Sequence, residues 1–107
     1  MYQLQAFGRG TNLHAVWDSG LTRDISPDSQ SLARIISSLP PTQLPLGFAP
    51  DQWAGESCRI ASRPDFYPGR RLDDSYAATF EPLVRIRLQL AGLRLASLLN
   101  RTFASPS

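Results

Sequence analysis

The only histidine of the chain, His14, stands four residues before Asp18, with Trp17 between them. On a helix, residues i and i+4 lie one above the other on one face, so this spacing aims an imidazole and a carboxylate at one point. Those are two of the donor types that a zinc-class metal takes. The same spacing also suits a hydrogen-bonded pair at a helix start, and the spacing alone leaves both readings open. A catalytic zinc needs about three protein ligands and one open position. There is no second histidine and only one cysteine. A third ligand would have to be Asp24, Glu56 or Cys58, and none of them stands at a ligand spacing. What is legible is part of a site.

Other chemistries find less support. No glycine-rich phosphate loop precedes a helix, since Gly8-Arg9-Gly10 is too short. No Ser/His/Asp constellation can be read beside the His14–Asp18 pair. Glu56 reads as one half of a structural ion pair rather than a general base. Arg85, Arg87, Arg94 and Arg101 read as a solvated or ion-paired face rather than a phosphate grip. Cys58 reads as a buried thiol on a helix.

The elements that must position His14 and Asp18 are mostly helical. Tyr2, Leu4 and Ala6 alternate with glutamines, which suggests a short strand, but no second convincing strand follows. Thr11 or Asn12 can cap a helix carrying His14 and Asp18, with Leu13, Val16, Trp17 and Leu21 on its apolar side and Gly20 near its end. Ser26-Pro27 suggests a second start, cap then first-turn proline. Leu32, Ile35, Ile36 and Leu39 follow at helical spacing until Pro40-Pro41. The stretch 40–50 is a proline-rich connector, and a third helix is expected over 51–62. Tyr67-Pro68-Gly69-Arg70 fits a turn, and Asp73, Asp74 and Ser75 offer caps for the last and longest element. That element carries two apolar stripes, one through Tyr76, Phe80, Val84, Leu88, Ala91, Leu95, Leu98 and Phe103, the other through Leu83, Ile86, Leu90 and Leu93. A helix apolar over so much of its surface belongs inside a bundle, and three shorter helices are too few to cover it. Pro82 should kink it or set off a leading turn, and Gly92 implies close packing against a neighbour.

At 107 residues the chain is one domain or less. Hydrophobic residues at 42% and charged residues at 19% are ordinary for a folded protein and argue against wholesale disorder. The net charge of +2 comes from arginines scattered along the chain, with no lysine, which gives little support to a nucleic-acid-binding stripe. A lone cysteine excludes an internal disulfide framework. The N-terminal residues lack the basic and apolar regions of a signal peptide, and no run approaches a membrane span.

Residues 8–21, GRGTNLHAVWDSGL, resemble the last metal-ligand segment of the S1/P1 nuclease family, whose pattern is N-L-H-x-V-W-D. Trp53-Ala54-Gly55-Glu56-Ser57 resembles that family's W-A-x-E-S helix, and residues 91–100, AGLRLASLLN, resemble its closing helix. The three matches keep their order, span nearly the whole chain, and correspond to the C-terminal part of the family's single domain. The resemblance implies an all-α fold of the S1/P1 nuclease and zinc phospholipase C type, incomplete here, with residues 1–107 forming the C-terminal part of one domain. It implies a cluster of three zinc ions, of which His14 and Asp18 would ligate one. It also implies hydrolysis of single-stranded DNA and RNA to 5′-nucleotides, and removal of 3′-phosphates. The remaining ligands of the family, an N-terminal tryptophan and upstream histidines and aspartates, have no counterpart in this sequence. Base preference does not carry over, because Ser19 follows the aspartate.

The expectation is therefore a truncated piece, inactive alone, whose partners are single-stranded nucleic acid or nucleotides and the rest of the domain. Family members are secreted or periplasmic; the sequence leaves the compartment of this chain open. Two alternatives stand beside this reading. One is a non-enzymatic helical module that binds through its apolar faces. The other is a fragment of a zinc phospholipase C-like hydrolase, less favoured because of the Trp17-Asp18 pairing and the 94–100 ending.

Overall fold

The computed structural model describes residues 3–6, 9–40, 46–67, 69 and 72–104. Two short strands open it, β1 (Gln3–Ala6) and β2 (Arg9–Asn12), paired antiparallel with Gln3 opposite Asn12 and Ala6 opposite Arg9. The expectation of a lone strand is corrected here: Arg9–Asn12 is its partner. This stretch lacks the apolar alternation that marks a strand, and backbone pairing within the hairpin supplies what the side chains do not signal. Tyr2 lies outside the described residues.

The chain then turns helical through α1 (Leu13–Ala15), a π-turn (Val16–Gly20) and α2 (Leu21–Ile25). Gly20 does not end this segment, which continues for five more residues. Helix α3 (Ser29–Ser37) is capped by Asp28, whose carboxylate accepts from the Ser31 backbone N–H at 3.0 Å and the Ser31 hydroxyl at 2.9 Å. The cap is therefore Asp28, not Ser26, because a carboxylate at this position satisfies a first-turn donor and interacts favourably with the helix N-terminus. Helix α4 (Pro50–Ala61) starts on a proline at its first position. Residues 41–45 of the expected connector, and Pro68 and Arg70 of the expected turn, lie outside the described residues.

Helix α5 (Asp74–Phe103) is capped by Asp73 and runs unbroken through Pro82. At 30 residues it spans about 45 Å, so it sets the long axis of a molecule measuring 56 × 30 × 23 Å. The radius of gyration, 16.0 Å, exceeds the roughly 13 Å of a compact domain of about this length. One long helix outreaches its partners.

The main core lies around the N-terminal half of α5. Ala6, Val16, Leu21, Phe80 and Val84 are buried together, with Leu13, Trp17, Ile25, Phe66, Leu72, Tyr76, Ala77 and Leu83 packed around them. The described structure is thus all-α apart from the hairpin. Gly92 departs from expectation. A Cβ built on it would meet nothing within 4 Å, so among the described residues no neighbour explains the glycine.

Candidate metal centre

Asn12 fixes where the ligand segment begins. Its side-chain Oδ1 accepts from the Ala15 backbone N–H at 2.9 Å, satisfying a first-turn donor. After Ala15 the backbone slips into a wider register, and the Leu21 N–H bonds to the Val16 carbonyl, five residues back. Such i→i+5 turns are rare and occur mostly as single-turn bulges, frequently at functional sites. In an α-helix residue i+4 falls just past the residue it covers, whereas the wider turn draws it back. The register therefore decides how Asp18 stands relative to His14.

The turn is held from behind. Val16, Gly20 and Leu21 are buried, while His14 and Asp18 on the same segment are exposed. Trp17 is half-buried; its ring stacks on Phe66 at 4.9 Å and meets Phe80 edge-on at 5.3 Å. Its indole N–H donates to the Tyr76 hydroxyl at 2.9 Å, and that hydroxyl donates to the Phe66 carbonyl at 2.7 Å. Burial pushes the Tyr76 hydroxyl above its ordinary pKa, partly offset by the Trp17 bond, so it stays protonated as the donor to Phe66.

His14 and Asp18 make no side-chain hydrogen bond or ion pair among the described residues, unlike the other carboxylates considered as ligands. Glu56 is buried in a bidentate pair with Arg94, both contacts at 2.7 Å, and also accepts from Arg87 at 2.9 Å. Arg94 holds the Glu56 carboxyl at about 2 against the cost of burial, with Arg87 adding to it. Glu56 is the structural ion pair the sequence suggests, and a metal would have to displace two guanidinium groups to reach it. Asp24 meets Glu81 of α5. Burial, followed by the hydrogen bond to Asp24 and its charge, pushes the Glu81 carboxyl up to about 7, against the pull of Arg85. Cys58 is exposed on α4, not buried as expected, because the covered face of that helix is given to Trp53, Glu56 and Ile60.

An imidazole and a carboxylate, both exposed and unengaged, suit zinc in donor chemistry. Their number falls short, and no group of three or more His, Cys, Asp or Glu that could hold a metal occurs among the described residues. The donors present fit one corner of a zinc site. Tyr76 and Phe66, which hold Trp17, are the residues that sequence reasoning missed. The available signal was Trp17 itself, since a buried indole N–H usually needs an acceptor.

A short helical segment with two outward donors backed by an aromatic core is the arrangement that the N-L-H-x-V-W-D pattern encodes here. The S1/P1 nuclease family model matches residues 1–104, and the chain belongs to that family. It is similar to Endonuclease 4 of Arabidopsis thaliana, 31% identical over 119 aligned positions that take in 92% of this chain. The chain spans 40% of the length of that relative.

Proposed function

We propose that this chain is the part of a zinc-dependent nuclease that supplies His14 and Asp18 as ligands to one zinc of a three-zinc cluster. The reaction is hydrolysis of phosphodiester bonds in single-stranded DNA and RNA, with removal of 3′-phosphates from nucleotides. Bound zinc supplies a hydroxide at neutral pH and neutralises charge on the phosphate. Within this chain, the imidazole and carboxylate hold the metal, the π-turn orients them, and the aromatic layer behind the turn keeps their backbone fixed. The observation that carries this reading is the pair of exposed, unengaged donors on a rare backbone register, in a member of the S1/P1 nuclease family.

Two donors do not make a catalytic zinc site, so the remaining ligands come from the rest of the domain, and this polypeptide alone is inactive. The test is a two-step assay. The purified chain with zinc should release no nucleotides from a single-stranded oligonucleotide. Combined with the N-terminal portion of a family domain it should gain activity, and His14→Ala or Asp18→Ala should reduce that activity more than about 100-fold, beyond what is lost with a residue that only orients a ligand. Robust cleavage by the chain alone would overturn the shared-site reading.

A second reading, a non-enzymatic helical module, has one observation in its favour. Leu95, Leu99 and Phe103 are exposed along the end of α5, a surface suited to a partner helix. Complementation that restores binding but never activity would select this reading. No described helix is long and apolar enough to cross a membrane.

A further inference from the structure

Tyr76 lies 58 residues beyond Asp18 in sequence and offers no ligand, yet its hydroxyl joins three segments. It accepts from the Trp17 indole in the π-turn, donates to the Phe66 carbonyl in the loop after α4, and sits in the first turn of α5. Among the described residues, the Trp17–Tyr76 bond is the long-range polar tie from the π-turn to another element. Its other side-chain bonds are local, Ser19 to Ala15 and Thr22 to Ser19. Trp17 is the chain neighbour of Asp18. A large ring held by stacking on Phe66, edge contact with Phe80 and a directional N–H bond cannot rotate without carrying the backbone with it. Fixing the indole therefore fixes the direction in which the next side chain leaves the turn.

We infer that Tyr76 is a positioning residue for the His14–Asp18 pair, acting through Trp17 to hold the π-turn in the register that presents both donors to one metal ion. This rests on the reading of His14 and Asp18 as zinc ligands. A merely structural Tyr76 would contribute stability and nothing more, whereas a positioning Tyr76 also changes metal affinity at a residue it does not touch.

The test follows the ring nitrogens of His14 by NMR while the 107-residue chain is titrated with zinc. The single histidine makes the signal unambiguous, and a Cys58→Ser background keeps the exposed thiol from competing. In the otherwise unchanged chain, zinc should shift the His14 ring nitrogens and the Asp18 carboxyl carbon together. Tyr76→Phe should move the Trp17 indole N–H resonance and weaken zinc binding at His14 by about tenfold, the low end of the loss when a residue that orients a ligand is removed. Thr79→Val, which removes a bond to Ser75 on the exposed side of the same helix, should leave the affinity unchanged. Should Tyr76→Phe fail to fold, Trp17→Phe removes the donor, keeps the Tyr76–Phe66 bond and should weaken zinc binding at His14 by the same factor. An indole signal that moves while zinc affinity stays put would overturn the positioning role and leave the metal reading standing. An imidazole and a carboxylate held in register should keep weak zinc affinity even without the remaining ligands, so no response of His14 to millimolar zinc in the unsubstituted chain would overturn both.

Discussion

Around Phe80, helix α5 meets Trp17 and Phe66 with an apolar face to which its own Tyr76 adds a ring, and Asp74, Ser75 and Thr79 stand in solvent. Four turns further on, the same helix buries Arg94 to 7% exposure while Leu95 stands 57% exposed and Phe103 78% exposed. Around Arg94 the usual sorting is inverted. The inner charge is tolerated because Glu56 answers it in bidentate geometry and the Trp53 ring lies 5.2 Å from its guanidinium carbon. Among the described residues nothing covers the outer leucines in the same way. Beside them an open cavity of about 300 Å³ is lined by Trp53, Leu90, Arg94, Leu95 and Leu98. The first half of α5 is finished by the residues around it as far as Val84, the part that backs His14 and Asp18, whereas Ile86 and Leu88 beyond it are already exposed. The second half has the composition of an interior without its cover, which is consistent with a chain that spans 40% of its relative.

The largest effect should come from breaking the finished half. Phe80→Ala empties a fully buried position among three aromatic neighbours and should cost about 3–5 kcal/mol in urea unfolding, with loss of the near-ultraviolet dichroism of Trp17. Leu95→Ala in the unfinished half should change stability by no more than about 0.5 kcal/mol. Equal losses at the two sites would erase the distinction.

Next in size is the inverted charge. Arg94→Ala leaves Glu56 buried with Arg87 alone, so the loss should fall near the low end for a broken buried pair, about 3 kcal/mol. Glu56→Met with Arg94→Met should recover most of it, since paired removal of a buried ion pair is often neutral or stabilising. A double variant no better than the single one would mean that the pair stabilises beyond its own desolvation cost.

The two regions also respond to pH with opposite sign. Glu56 is held at about 2, below the ordinary value of 4.5, so its contribution is complete above 4.5 and is lost as pH falls from there towards 2. Glu81, whose carboxyl burial and Asp24 push up to about 7, binds its proton more tightly folded than unfolded. Its contribution is complete below 4.5 and is lost as pH rises through 7. One of its carboxyl oxygens is buried without a hydrogen-bond partner among the described residues, which makes the ionised form costly. Melting temperature against pH should therefore peak on the acidic side of neutrality. Glu81→Gln should remove the decline on the alkaline side, worth about 1–2 kcal/mol at pH 8 after allowance for partial exposure. Glu56→Gln should remove the decline on the acid side instead.

Sequence reading reaches the finished half more easily than the inverted one. Helices α3, α4 and α5 follow from apolar spacing and proline stops, and Asn12 and Asp73 cap where short polar residues precede an apolar run. His14 and Asp18 are legible as donors because their types are scarce and their neighbours form a family pattern. The π-turn is not legible, since shifting one carbonyl partner from i−4 to i−5 changes no residue type. Strand β2 escapes because Arg9–Asn12 carries no apolar alternation. Arg94 is instructive, since ion pairing stands among the sequence readings for it and burial does not. An arginine in an apolar stripe counts as surface in any hydrophobic pattern, and only its distant partner Glu56, 38 residues away, makes it interior.

Gly92 gives the smallest effect and tests both states of the inverted half. In this chain its missing side chain faces open space, so Gly92→Ala should stabilise by about 0.5–1 kcal/mol, the ordinary helical penalty of glycine. If the remainder of the domain packs on this face, the same methyl group enters the contact. The substitution should then weaken association with the N-terminal portion while raising the melting temperature of the isolated chain. Light scattering adds an independent check on the same surface. The unsubstituted chain should self-associate through its exposed leucines, and Leu95→Glu with Leu99→Gln should return it to monomer with little change in stability. A variant at Gly92 that stabilises the chain and leaves association untouched would place the missing cover elsewhere on α5. The exposed row through Leu95, Leu99 and Phe103 would then stand as the contact by itself.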